Sequence, residues 1–167
     1  EIGSLAFTEP ATGSDPRALE TTATLDGDGY VINGTKRFIT NAAYPGPAIV
    51  FARTSPEAVS AIIVEKNCPG YSTPKQWELM GLHGQQVMDI SFQGVRTPRT
   101  NVLGEPGKGY QLLIQMVAGG GKLGICAEAV ALAQAALDEA LKFSKQRTRR
   151  GSPIASMQAI QWLLAEM

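Results

Sequence analysis

From Glu1 to about Val102 the apolar positions alternate with polar ones or gather into runs of four or five, the pattern of β-strands. Thr21-Thr22-Ala23-Thr24-Leu25 and Tyr30-Val31-Ile32 flank Asp26-Gly27-Asp28-Gly29, which predicts a hairpin. Asn33-Gly34 predicts a second turn, leading into Thr35–Ile39. Ala48-Ile49-Val50-Phe51-Ala52 and Ala61-Ile62-Ile63-Val64 are short apolar runs of the kind found in inner strands. Pro56, Pro69 and Pro74 mark loops between them, and Gln86–Phe92 predicts a further strand closed by Gly94. Many short strands with Gly, Pro and Asn turns predict an antiparallel all-β domain.

Past Gly109 the period changes to helical. Val130, Ala133, Leu137 and Leu141 recur at steps of three and four, as do Leu132, Ala136, Ala140 and Phe143. Two adjoining stripes make a wide apolar face that must be covered by other helices. Gly119-Gly120-Gly121 interrupts this run at a cost of roughly 1 kcal/mol per glycine against alanine, so a break or a widened turn is expected there. Gly151-Ser152-Pro153 stops the helix, and a second one is expected from about Ala155, with Ile160, Leu163, Leu164 and Met167 inward. The fold class expected is α+β: an antiparallel β-barrel or sandwich domain, residues 1–105, followed by two antiparallel helices of a four-helix bundle, residues 106–167.

Composition narrows the function classes. Fifteen basic residues balance fifteen acidic ones in 167, so no global field points to nucleic acid or to an anionic membrane. Hydrophobic residues make up 44%, enough for a core, and no run is expected to span a membrane. Cys68 and Cys126 build no disulfide framework and fit a reducing compartment. Glu1 falls within a strand-like stretch and Met167 within a helix-like one, so both ends read as cuts through a longer protein. No cluster of metal-ligating residues is legible.

The chemistry concentrates in two stretches. Phe7-Thr8-Glu9-Pro10-Ala11-Thr12-Gly13-Ser14-Asp15 leaves a strand into a loop bent at Pro10 and Gly13, where hydroxyls and backbone N–H groups are exposed together. Lys36-Arg37-Phe38-Ile39-Thr40-Asn41 likewise ends a strand in polar residues. Such loops suit the carbonyls of a flat heterocycle or a pyrophosphate. Lys145-Gln146-Arg147-Thr148-Arg149-Arg150 places four cations at a helix end.

Thr8-Glu9-Pro10 with Gly13-Ser14-Asp15, then Asn33-Gly34-Thr35-Lys36 and Phe38-Ile39-Thr40-Asn41, resembles the acyl-CoA dehydrogenase family. Further matches follow in order: Val95-Arg96-Thr97-Pro98, Asn101-Val102-Leu103-Gly104-Glu105, Gly107-Lys108-Gly109-Tyr110, Gln146-Arg147 with Gly151, and Gln158-Ala159-Ile160 with Leu164-Ala165-Glu166-Met167. The likeness covers nearly the whole chain, as a middle β domain and the opening of a C-terminal helical bundle.

The resemblance implies an FAD-dependent dehydrogenation of an acyl-CoA thioester between its α and β carbons, with hydride passing to flavin N5 and electrons onward to an electron-transferring flavoprotein. It implies that Thr40 donates to N5 and that Phe38, where the family usually has Trp, covers the ring beside Ile39. Thr8 and the backbone around Phe7 would meet the pyrimidine edge, and Ser14 the pyrophosphate and the thioester tail. Arg147 would hold the FAD diphosphate of a neighbouring subunit, with Gln158 on the adenosine side, which implies a homodimer or homotetramer. Lys122 stands where the family often has a CoA-contacting Arg, and Gly119 where it often has Asp. His83 and Gln85 replace the usual Arg and Ser of a loop, and Arg150 replaces a usual Phe. No catalytic base is recognisable: the family's Glu usually lies in later sequence, and its minority position is Gly121 here. Glu9 belongs to the Thr-Glu-Pro turn and is not assigned that role. The compartment implied is cytoplasm or mitochondrial matrix. The alternatives are an acyl-CoA oxidase or flavin monooxygenase on the same scaffold and, remotely, a non-enzymatic nucleic-acid-binding relative using the Lys145–Arg150 run.

Overall fold

The hairpin expected around Gly27 is the seed of the sheet. In the computed structural model, which describes residues 1–15 and 18–167, β2 (Thr22–Asp26) and β3 (Gly29–Thr40) pair antiparallel, with Asp26 opposite Gly29. The other strands are β1 (Ser4–Ala6), β4 (Pro47–Ser55), β5 (Ala58–Glu65), β6 (Tyr71–Trp77) and β7 (Val87–Pro98). They form a seven-stranded sheet in the order β1-β4-β2-β3-β7-β6, with β5 joined to β4.

The sheet is mixed and does not close into a barrel: β1 runs parallel to β4, as does β2 at its single pairing of Thr22 with Arg53. The short-strand pattern predicted an antiparallel domain because alternation reports which face is buried and carries no information on strand direction. Ile32, Val50, Ile62, Val64, Ile90 and Val95 are all at most 1% exposed and anchor the core.

Three local expectations are corrected. Asn33-Gly34 makes no turn; β3 runs straight through it with a register shift between Ile32 and Gly34. Gly34 is needed there because a Cβ would sit 2.6 Å from the Thr21 hydroxyl and 2.7 Å from its Cα, at φ +143°. Asn33 instead accepts a hydrogen bond from the Gly94 N–H at 2.8 Å. Gly94, at φ +66°, passes through β7 at the same irregularity and does not end it. Pro74 lies inside β6, not in a loop; β6 is the sheet's edge, and Pro74 sits at a register shift where no ladder bond is lost.

The chain divides into two units, Glu1–Ile114 and Gln115–Met167. Helix α1 (Gly109–Met116) begins in the first unit. A Cβ on Gly109 would meet the Ser60 carbonyl carbon at 2.7 Å and the Ala61 nitrogen at 2.8 Å, so glycine lets α1 start against β5. Residues Val117–Gly121 wind as a π-turn, the widened turn expected at the glycines. Helix α2 (Lys122–Gln146) follows, then a small hairpin of β8 (Thr148–Arg149) and β9 (Ser152–Pro153), and α3 (Gln158–Glu166), three residues later than expected. Arg150 and Gly151 make the hairpin's two-residue loop with φ of 50° and 81°, a turn whose central residues are both left-handed.

Among the described residues of the second unit only Ser144 is buried. Leu123, Val130, Leu132 and Phe143 are 60–71% exposed. The helical run Gly109–Gln146 is by length and composition apolar enough to cross a membrane, with a mean hydropathy of 1.4 over its best 18-residue window. This corrects the expectation that no run approaches a membrane span: alanines and short aliphatics, with few charges among them, lift one whole window to that threshold.

Candidate functional site

The two chemistry-bearing stretches lie side by side. The Arg37 N–H donates to the Thr8 carbonyl at 2.7 Å. The Lys36 ammonium donates to the Phe7 carbonyl at 3.0 Å and to Glu9 Oε1 at 2.7 Å. Glu9 also accepts the Glu20 N–H on Oε2 at 2.5 Å and the Thr21 N–H on Oε1 at 3.0 Å. The Phe7–Asp15 loop folds on itself through Glu9 N–H to Thr12 O at 2.8 Å and Thr12 Oγ1 to Asp15 O at 2.6 Å, the bend expected at Pro10 and Gly13.

Both charges of the Glu9–Lys36 pair are taken out of water: Lys36 is 0% and Glu9 3% exposed. Burial works to raise the Glu9 carboxyl, but the Lys36 ammonium and the hydrogen bonds at Lys36, Thr21 and Glu20 hold it below its ordinary value. Burial pushes the Lys36 ammonium down to about 8 against the pull of Glu9. A carboxylate held ionised and fully hydrogen-bonded is a poor proton acceptor, consistent with the structural role read for Glu9.

The tip of β3 carries a bulge. Lys36 pairs with Ile90 and Ile39 with Met88, so Arg37 and Phe38 together oppose Asp89. Phe38 takes a left-handed φ of 58°, which costs a bulky residue on the order of 1 kcal/mol, and Asn41 a φ of 63°, which asparagine tolerates. Bulges re-aim side chains, and here the Phe38 ring is 51% exposed while Ile39, next to it, is 2% exposed in the core. Ile39 can therefore offer a ligand only its main chain. Thr8 and Thr40 are half-buried, and among the described residues neither hydroxyl makes a hydrogen bond. Ser14 is exposed on the same loop as Thr8.

Sequence reasoning did not foresee the surroundings of Phe38. Its ring packs on Trp77 with centroids 4.8 Å apart. The Lys75 ammonium lies 3.5 Å from the Trp77 centroid, and the Arg37 guanidinium carbon 5.3 Å. Asp89 accepts Trp77 Nε1 at 2.7 Å and lies 3.5 Å from Arg37 Nε. The available signal was Asp89 itself, a carboxylate inside the apolar run Val87-Met88-Asp89-Ile90, which demands buried partners.

The remaining expected residues belong to the second unit. Lys122 opens α2 and is exposed. Arg147 ends that helix: its N–H donates to the Phe143 carbonyl at 2.8 Å, its carbonyl accepts from Ile154 N–H at 2.8 Å, and its side chain is exposed. Gln158 is exposed at the first position of α3. No group of three metal-ligating side chains occurs among the described residues.

Comparison with known proteins decides the family. The acyl-CoA dehydrogenase middle domain matches residues 4–95, and the acyl-CoA dehydrogenase C-terminal domain residues 107–167. This chain belongs to the acyl-CoA dehydrogenase family. It is 40% identical to an acryloyl-CoA reductase (NADH) of Anaerotignum propionicum, covering all of this chain and 44% of the relative. It is 38% identical to the human mitochondrial short-chain specific acyl-CoA dehydrogenase, covering all of this chain and 41% of that protein. An acyl-CoA dehydrogenase of Bacillus anthracis, solved in complex with FAD, superposes with a TM-score of 0.92 at 34% identity, over 98% of this chain and 28% of that one. The chain thus spans less than half the length of these relatives.

Proposed function

We propose that this chain is the flavin- and thioester-facing part of an FAD-dependent acyl-CoA dehydrogenase, which oxidises a saturated acyl-CoA to its trans-2-enoyl product and passes electrons to an electron-transferring flavoprotein. The observation that carries this reading is the pinning of the Thr8 loop to the bulged Phe38–Thr40 tip. An exposed aromatic ring and two uncommitted hydroxyls, carried on two stretches that are hydrogen-bonded to each other, suit a flat, carbonyl-edged ring system. When bound, FAD supplies the two-electron acceptor.

In this reading Thr40 and Thr8 orient the flavin by hydrogen bonds, Phe38 covers it and excludes water, and the Phe7 and Ile39 main chains complete the contact. Ser14 lies toward the phosphates and the thioester tail, and Lys122 toward the CoA moiety. Arg147 suits a diphosphate because a guanidinium binds two oxygens at once; it serves a neighbouring protomer of a homodimer or homotetramer, with Gln158 alongside. The catalytic carboxylate comes from outside these residues. The two free cysteines accord with cytoplasm or mitochondrial matrix.

The test is the visible spectrum of the full-length protein. Yellow protein whose flavin bands bleach on adding a saturated acyl-CoA is the expected result, and colourless protein that takes up no FAD would overturn the reading. Thr40→Val should slow that bleaching by about tenfold or more, the cost of one directed donor, with flavin content retained. Rapid reoxidation of the reduced protein by oxygen would assign an oxidase or monooxygenase instead.

A further inference from the structure

Lys66, just past β5, lies on none of the stretches discussed so far, yet its ammonium is fully committed. It donates to the carbonyls of Ile2 at 2.8 Å, Asn41 at 2.9 Å and Tyr44 at 3.1 Å. Three donors meet three acceptors, which is the ammonium's whole capacity. It forms no ion pair among the described residues. An ammonium buried partly and spent on backbone carbonyls is a clamp on main-chain geometry.

What it clamps is the far end of the bulged tip. Asn41 holds a left-handed φ of 63°, its N–H donates to the Gln86 carbonyl at 2.8 Å, and its carbonyl accepts from Tyr44 N–H at 3.2 Å as well as from Lys66. Lys36 secures the near end of the same segment through Phe7 and Glu9. Between the two lysines lie Phe38, also left-handed, and Thr40. Phe38 in that conformation is strained and persists only if the surroundings over-determine it, whereas asparagine is a residue type that adopts it readily.

We propose that Lys66 is a positioning residue for the Phe38–Asn41 segment, acting through the Asn41 carbonyl to hold Thr40 in place. The proposal rests on the reading of Thr40 as a flavin donor, and the two can fail separately. Lys66→Met and Lys66→Gln remove the charged clamp, and Lys66→Arg retains a multiple donor.

In the full-length protein without added substrate, Lys66→Met and Lys66→Gln should raise amide hydrogen exchange at Asn41–Tyr44 by about tenfold or more. Exchange in the middle of β4 and β5 should stay at the wild-type rate, and Lys66→Arg should restore much of the protection. In yellow protein, Lys66→Met should slow flavin bleaching by an acyl-CoA, and adding it to Thr40→Val should slow bleaching no further, because both act through one hydroxyl. Unchanged exchange at Asn41–Tyr44 would overturn the proposal, as would faster exchange with a wild-type bleaching rate. Colourless wild-type protein would overturn the flavin reading and with it the link to Thr40.

Discussion

The two units of this chain solve the problem of burial in opposite ways. The β unit encloses its own core: Ala6, Ile32, Val50, Ile62 and Ile90 are all 0% exposed, and even an ion pair is sealed inside. The helical unit is the more apolar in sequence and encloses almost nothing, with Val130 70% and Leu132 64% exposed. A twisted sheet whose strands come from across a hundred residues can bury one face against its own loops and a helix start. A long helix followed by a short one cannot, since each buries only a stripe and needs neighbours on that stripe. The difference teaches that the first unit closes a core of its own while the second leaves its apolar stripe open, in a chain whose relatives are more than twice as long.

The largest expected effect comes from separating the units. Residues 1–114 alone should show a single cooperative thermal transition by circular dichroism. Residues 115–167 alone should lose most of their helicity on dilution, because isolated helices are marginal without packing. A concentration-independent cooperative melt of the helical piece would break the comparison.

Next is the buried ion pair. Lys36→Met strands the Glu9 carboxylate and should cost roughly 3–5 kcal/mol in urea unfolding. The double change Glu9→Gln with Lys36→Met should recover a large share of that loss, because no uncompensated charge then stays buried. Equal losses in the single and double variants would mean that shape, not charge, decides the site.

The same pair sets a pH signature. Glu9 has a folded-state pKa below its ordinary value of 4.5, so its contribution is fully present above pH 4.5 and is lost as pH falls through the folded value. Wild type should therefore exceed Glu9→Gln in stability near neutrality, and the gap should narrow in acid. A gap independent of pH from 7 to 3 would remove the carboxylate's charge from the account.

The smallest effect sharpens the contrast. Val130→Ser on the exposed α2 should change the stability of this chain by no more than about 0.5 kcal/mol. In the full-length protein the same change is expected to cost about 1–3 kcal/mol, the result that packing of further helices on that face would give, read from urea midpoints of the two proteins.

Much of this was legible in the residues. The hairpin at Gly27, the change of period at Gly109 and the widened turn at Gly119–Gly121 follow from local preferences, which act within a few residues and leave their mark on composition. The pairing of the Thr8 loop with the Phe38–Asn41 tip was legible as well, because several motifs in register carried it. Asn33-Gly34 misled for an instructive reason: a glycine that relieves contact with Thr21 and a glycine that makes a turn are the same letter. Phe38 was read as a ring-covering aromatic, but its left-handed backbone, its stacking on Trp77 and the cations around them depend on a bulge set by β7, some fifty residues away.

The local alternation of apolar and polar positions, the glycine and proline punctuation and the order of the motifs were enough to determine two kinds of unit and one family. Strand direction and order, the bulges, the enclosure of Lys36 with Glu9 and the grip of Lys66 on three carbonyls were decided only in the folded chain. The reason is range. Local preferences are written in neighbouring residues, whereas a buried charge finds its partner and a strand its neighbour through contacts between residues tens of positions apart. Many sequences satisfy the same local pattern, and the requirement that every buried donor and acceptor be paired selects among them.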